Sequence, residues 1–352
     1  MNYSTLDKFE GAWFGGIIGS ALSNKSDSSD YKRISNYQYP NWIEIRHRIA
    51  ITLLENRQAK VELQHNLEGL LEEHFYNFRN SYSYQHNSHQ SHALFELIPK
   101  ADLVSFYCRS MSLLLPLSIL QDNDYIENIL PKTIKGFDLD SVLTKSLLQD
   151  IAVWNYILTM VLSGRFTFTE ANVGIAIRQL LSSIKIEKSS LVEKLKVVNQ
   201  AWEIGLSLQQ LTKELYRYEN SIGESTPTAS SAIALSFYCF ASTPTNFVIS
   251  VKRAIEIDRQ LSSSIALLTA TVSGAYNGRT SIPKSWMRAV ERHQSGRLAP
   301  KTVQKLYQTW LGVYDLDNLK LLCNSEATTI ATPKIFQTRS SLKIISQKST
   351  LD

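Results

Sequence analysis

The sequence predicts an all-α protein, and three observations carry that prediction. Only 14 glycines and 9 prolines occur in 352 residues, too few for the many tight turns of a β-sandwich or barrel. Apolar residues recur at helical intervals, as Leu63, Leu67, Leu70, Leu71 and Phe75 do, and no stretch requires a strand. With 43% hydrophobic and 20% charged residues the chain can bury a large core, so disorder throughout is excluded.

The elements follow in order. Residues 9–22 place Gly11, Ala12, Gly15, Gly16, Gly19, Ser20 and Ala21 at three- and four-residue spacings, the pattern of a helix packed closely on another backbone. Each glycine costs a helix roughly 1 kcal/mol against alanine, so that approach must return it. Residues 24–40 are polar and turn-rich and read as a loop. A helical pattern runs over 49–75, and the Asn/Ser/Tyr/His-rich stretch 77–91 reads as an exposed loop. Its His86, His89 and His92 are spaced to meet on a helix, but no carboxylate or cysteine accompanies them, which favours a solvated loop over a metal site.

Further helices are predicted over 101–120, 124–130, 140–162, 169–184, 191–202, 206–218, 229–240 and 246–276. Ser190 followed by Glu193 has the form of a capping box ahead of the Leu191, Leu195, Val198 and Trp202 stripe. Residues 324–352 are Ser/Thr/Lys-rich without period and read as a mobile tail behind one helical domain, 1–323, with the His-rich loop at 77–92.

Three cysteines, Cys108, Cys239 and Cys323, are odd in number and sit among apolar neighbours, so they read as reduced, buried thiols rather than nucleophiles. The first ten residues lack the features of a secretory signal. The apolar runs 111–120 and 151–162 are polar-interrupted and shorter than a membrane span, so a cytoplasmic chain is expected. Net charge is only +5, but between Arg279 and Lys305 seven cations face the single acid Glu291. That run is either a solvated face or a docking surface for an acidic partner, and Arg288, Arg292, Arg297 and Lys301 are its candidate contacts. Without interleaved aromatics, nucleic acid ranks last among partners.

Three segments resemble the ADP-ribosylglycohydrolase family, of the dinitrogenase reductase activating glycohydrolase type. Residues 9–22 are similar to its opening helix G-A-x-x-G-x-x-x-G-D-A-L-G, with Ser20 in the place of the aspartate. Residues 109–117, from Arg109 to Pro116-Leu117, resemble its M-R-x-x-P-L helix. The run Gly274-Ala275-Tyr276-Asn277-Gly278 followed by Ile282-Pro283-Lys284-Ser285-Trp286 resembles its G-A-Y-x-G and I-P-x-x-W signature. The resemblance implies a compact orthogonal helical bundle around two magnesium ions that position ADP-ribose for hydrolysis.

Magnesium takes six oxygen ligands, so a pair needs several convergent carboxylates. The resemblance assigns them to T-D-D-T and D-T-D-T. The first motif falls on Ile43-Glu44-Ile45-Arg46, which keeps one carboxylate and adds a cation beside it. The second falls on Leu261-Ser262-Ser263-Ser264, which keeps none, and shifting it to reach Asp258 still meets Gln260. The expectation is therefore a divergent member without metal cofactors, its vestigial pocket lined by Ile43, Glu44, Ile45, Leu261, Ser263 and Ser264. Glu44 also reads as a surface carboxylate at a helix start, and the serines as ordinary helix caps or as hydroxyl donors to a ribose or phosphate. No phosphate-binding loop, zinc-protease motif, paired Cys-x-x-Cys or nucleophile elbow is present, and Gly223-Glu224-Ser225 lacks the context of one. The function expected is regulation through protein contacts. The alternatives are a hydrolase with altered, metal-independent chemistry and a reader that binds ADP-ribose without cleaving it.

Overall fold

The computed structural model describes residues 4–23, 29–55, 60–86, 100–120, 141–165, 168, 172–183, 189–221, 228–257 and 261–311. All the regular structure among them is helical, as the composition predicts, and no strand occurs among the described residues. The chain divides into two units, Met1–Tyr307 and Gln308–Asp352. The first contains every described residue except the last turn of the final helix, residues 308–311.

The centre of the first unit is a pair of helices, α1 (Thr5–Leu22) and α13 (Ser262–Asn277), both buried along nearly their whole length. Their small residues meet at four-residue intervals and in opposite directions: Gly11 against Gly274, Gly15 against Ala270, Gly19 against Ala266. A Cβ added at any of the three α1 glycines, or at Gly274, would lie closer than 3.0 Å to a carbonyl oxygen of the other helix. Two backbones at this distance exclude water and bring dispersion contacts along about two turns, which offsets the propensity cost of glycine. Ser4 caps α1 by accepting the Asp7 N–H at 3.1 Å. At the same end of this antiparallel seam Gly278, with φ +72°, closes α13 by donating to the Gly274 carbonyl at 2.8 Å.

The remaining helices pack on this pair or on one another: α2 (Asp30–Ser35), α3 (Asn41–Glu55), α4 (Lys60–His86), α5 (Lys100–Leu113), α6 (Leu115–Leu120), α7 (Ser141–Leu162), α8 (Val173–Ser183), α9 (Ser190–Glu203), α10 (Leu208–Ser221), α11 (Ala229–Ala241), α12 (Phe247–Glu256), α14 (Lys284–Glu291) and α15 (Gln294–Leu311). The predicted stripe on α4 faces inward, with Leu63, Leu67, Leu70 and Leu71 all buried. Within the signature run the Tyr276 hydroxyl both donates to and accepts from the Phe168 backbone, at 2.7 and 3.0 Å. Asn277 Nδ2 donates to the Pro244 carbonyl at 2.7 Å, so the turn before α12 is tied to the end of α13.

The structure corrects several expected boundaries. The loop expected over 24–40 contains α2, capped by Ser29 accepting from Lys32 N–H. The loop expected from residue 77 is helical as far as His86, because α4 continues into it; His89 and His92 lie outside the described residues. Residues 101–120 are two helices, parted at Leu114 because Pro116 has no N–H to continue the first. Residues 246–276 are also two, α12 and α13, and 258–260 between them lie outside the described residues, as do 124–130. Asp102–Leu120, helices α5 and α6 together, is long and apolar enough to cross a membrane and is 83% buried within the fold, the placement of a core segment. Cys108 and Cys239 are buried free thiols whose pKa burial pushes up to about 12, and Cys323 lies outside the described residues.

The expected Ser190–Glu193 capping box does not form. The N-cap is Ser189, whose hydroxyl does not cap the helix but donates to Asp150 Oδ1 on α7 at 3.3 Å. Asp150 takes over the capping role: it also accepts from Ser230 at 2.5 Å and from the Leu191 backbone N–H. Glu193 pairs outward with Lys196 at 2.7 Å. One turn into α9, Lys194 is fully buried and donates to Glu219 of α10 at 3.0 Å, and Glu219 further accepts from the Thr228 N–H and the Ser231 hydroxyl. This network joins α7, α9, α10 and α11.

The Gly15→Ala substitution gains about 1 kcal/mol of helix propensity but drives a methyl into the Ala270 carbonyl, for a net destabilisation of about 1–3 kcal/mol or more. Gly69→Ala on the exposed face of α4, where the methyl meets nothing within 4 Å, stabilises, by about 0.5–1 kcal/mol. Denaturant unfolding of the two variants checks both signs. Burial holds the Asp150 carboxyl up at about pKa 6, against the hydrogen bonds and Lys194 that lower it. The folded chain thus keeps a proton that the unfolded chain releases near pH 4, so stability attributable to Asp150 is greatest below that pH and falls as pH rises through 6. The unfolding free energies of wild type and Asp150→Asn, compared at pH 4 and pH 7, should differ by amounts about 2–3 kcal/mol apart; equal differences contradict the assignment.

Candidate functional site

The first turn of α3 carries the residues aligned with the first metal motif. Trp42, Ile43 and Ile45 are buried, while Glu44 points outward and is exposed. The helix enters the core with its aliphatic side, and the one carboxylate of the set lies on the opposite face. Ile43 and Ile45 offer no donor atom.

Arg46 is the unexpected member. It is completely buried, its guanidinium lying over the rings of Trp13 and Trp42 at 4.4 and 5.2 Å. Nη2 donates to the Trp13 carbonyl at 3.1 Å and Nη1 to Ser112 Oγ at 3.3 Å. Its sequence neighbour Glu44 forms no ion pair with it, and among the described residues no carboxylate bridges to Arg46. Desolvation pulls its pKa down to about 9, leaving it cationic at neutral pH. Two indole faces and a helix carbonyl take the place of a counter-ion, an arrangement open to a planar, weakly hydrated guanidinium.

The second motif aligns with the first turn of α13. Leu261 is buried and stands at the N-cap position without a side-chain hydrogen bond, so the serines do not cap this helix as expected. Ser264 is buried, 3.2 Å from the Ser105 hydroxyl of α5, and hydrogen-bonds the Cys108 thiol; Ser263 is half-buried. Asp258 and Gln260 lie outside the described residues.

Helix α5 is the common neighbour of the two sets. Ser112 meets Arg46 and Ser105 meets Ser264, seven residues apart on one face and so about 10 Å along the axis. The two sets are thereby held two turns apart on the same stripe, and no hydrogen bond or ion pair among the described residues joins them directly. At the end of α1, Ser20 sits buried with its hydroxyl 2.6 Å from that of Tyr37, whose ionisation burial makes harder. Where the resemblance places an aspartate, a neutral hydroxyl pair stands.

Each part of this donor set argues against a pair of magnesium ions. Hydroxyls and alkyl groups do not supply the anionic oxygens such ions need, Glu44 faces away, and a buried guanidinium repels cations. Among the described residues no three His, Cys, Asp or Glu side chains are gathered. The buried acids among the described residues, Asp150 and Glu219, are engaged in the interhelical network.

A model of the ADP-ribosylglycohydrolase family matches residues 1–313. The chain belongs to the ADP-ribosylglycohydrolase family. No curated protein matches it. In this family member the segments that carry the resemblance are buried: the small-residue opening helix, the helix pair around Pro116, and the signature run ending at Trp286, which is buried beside Phe247.

The cations expected to contact a partner occupy a different part of the family fold. Arg288, Arg292, Arg297 and Lys301 are all exposed, on α14, its C-cap and α15. Arg292 lies 5.2 Å over the Tyr31 ring. Arg279 is withdrawn from that surface by ion pairs to Glu10 and Glu291, both at 3.0 Å. Sequence reasoning missed the buried Arg46 box, although Trp13, between Ala12 and Phe14, and Trp42, ahead of Ile43, were its visible signal.

Proposed function

We propose that this ADP-ribosylglycohydrolase family member holds no magnesium pair, does not hydrolyse ADP-ribosyl bonds, and acts as a regulatory protein through contacts with another protein. The observation that carries the reading is the pairing at positions 43–46: the surviving carboxylate, Glu44, is exposed, and the buried polar group is the cation of Arg46. In this family's chemistry the metals orient the ribose and stabilise charge at the reacting centre. A buried guanidinium boxed by two tryptophans reaches neither a substrate nor a metal, and the hydroxyls of Ser263 and Ser264 are not positioned by a base. What the chain retains is a rigid helical body with an exposed basic surface, and such a body suits binding.

The test uses the full chain with peptides ADP-ribosylated on arginine and on serine. With magnesium present, no release of ADP-ribose above the uncatalysed rate is expected. A ligand of the folded state raises stability by RT ln(1 + [L]/Kd), so about 1 mM ADP-ribose with magnesium should leave the melting temperature unchanged. Turnover that a chelator abolishes overturns the proposal, and so does turnover without metal. A melting shift without turnover makes the chain a reader of ADP-ribose and equally overturns it.

A further inference from the structure

Helices α14 and α15 each carry a row of exposed cations at four-residue spacing. On α14 and its C-cap these are Lys284, Arg288 and Arg292; on α15 they are Arg297, Lys301 and Lys305. Residues four apart on a helix stand about 6 Å from one another, so each row presents three positive charges at regular intervals over about 12 Å. Among the described residues none of the six side chains has an ion pair or a hydrogen bond. The single acid between Lys284 and Lys305, Glu291, is held by Arg279. Like charges at this spacing destabilise their own helices, and among the described residues only the Tyr31 ring, 5.2 Å beneath Arg292, offsets that repulsion.

We infer that these two rows are a docking surface for an acidic protein segment that presents carboxylates about 6 Å apart, as glutamates at i, i+4 and i+8 of a helix do. The inference rests on the proposal that the chain works through protein contacts, and it supplies the chemistry of the partner. Charge complementarity selects the occupant, because regularly spaced cations without internal acids match a row of anions of the same pitch. A lipid surface fits less well. The apolar sides of the two helices, with Trp286, Met287, Val290, Val303 and Leu306, are turned into the core, and only Leu298 stands exposed among the cations, so no apolar face remains to enter a bilayer. Single-stranded nucleic acid fits less well too, since no aromatic ring stands exposed between the cations to stack on a base.

The experiment measures fluorescence anisotropy of two labelled helical peptides of identical composition titrated with the full chain. One carries glutamates at i, i+4 and i+8; in the other the same glutamates are dispersed around the helix. The first is expected to bind at least about tenfold more tightly, and to weaken as salt rises from about 50 to about 200 mM. R288E/R292E/R297E/K301E should lose that binding by at least about tenfold. R165E/K196E/K213E/R217E changes net charge equally at exposed positions elsewhere and should leave it intact. Melting curves confirm that both variants are folded. Equal affinity for the two peptides, equal loss in the two variants, or tighter binding to phosphatidylserine vesicles or single-stranded DNA overturns the inference. Failure here leaves the hydrolysis result standing, and hydrolysis by the chain leaves this surface standing, so the two proposals fail separately.

Discussion

The close approach of α1 and α13 is the constraint on which the rest of the structure depends. Glycine and alanine every fourth residue let two backbones meet at carbonyl distance, and no other side chains fit between Gly11 and Gly274, Gly15 and Ala270, or Gly19 and Ala266. Because steric overlap rises steeply, the seam fixes the relative rotation and register of both helices. The consequences reach the site directly. Ser20 lies one residue past the last seam glycine, Trp13 lies between the first two and offers its carbonyl to Arg46, and Ser264 lies two residues before Ala266. The seam that organises the core therefore also sets where Ser20 and the first turn of α13 are placed, and gives Arg46 of α3 its carbonyl partner.

Held in that frame, the polar chemistry of the interior has a different distribution from that of a metal site. The buried acids among the described residues, Asp150 and Glu219, serve as interhelical caps and ion-pair partners. The buried cation on α3 is stabilised by aromatic faces and a helix carbonyl instead of a carboxylate. Each of these arrangements binds helices to one another and leaves no converging group of anions among the described residues. The family scaffold persists because backbone packing and apolar burial need no carboxylates.

The helical class and the central pair were legible because both are periodic. A small residue every fourth position has one physical use, close helix contact, and the order of the three motif segments located it within a family. Local signals served less well. Ser190 and Glu193 have the right spacing for a capping box, yet Asp150, forty residues earlier, supplies the capping acceptor, which no local window contains. The polar composition of 77–86 suggested a loop, while continuity with the Leu-rich turns of α4 keeps it helical. At the site, the lack of carboxylates could be read residue by residue, but the burial of Arg46 could not. A guanidinium predicts exposure unless its box is known, and the box is assembled from Trp13, Trp42 and Ser112 on three separate helices.

The account turns on whether these residues can grip divalent ions, and calorimetric titration of magnesium into the full, metal-stripped chain addresses that directly. It predicts no saturable heat up to millimolar magnesium, with the same trace for wild type and Glu44→Gln. Saturable binding of two ions per chain would contradict it, since carboxylates would then have to converge on the site from positions that the alignment assigns to hydroxyl and alkyl groups.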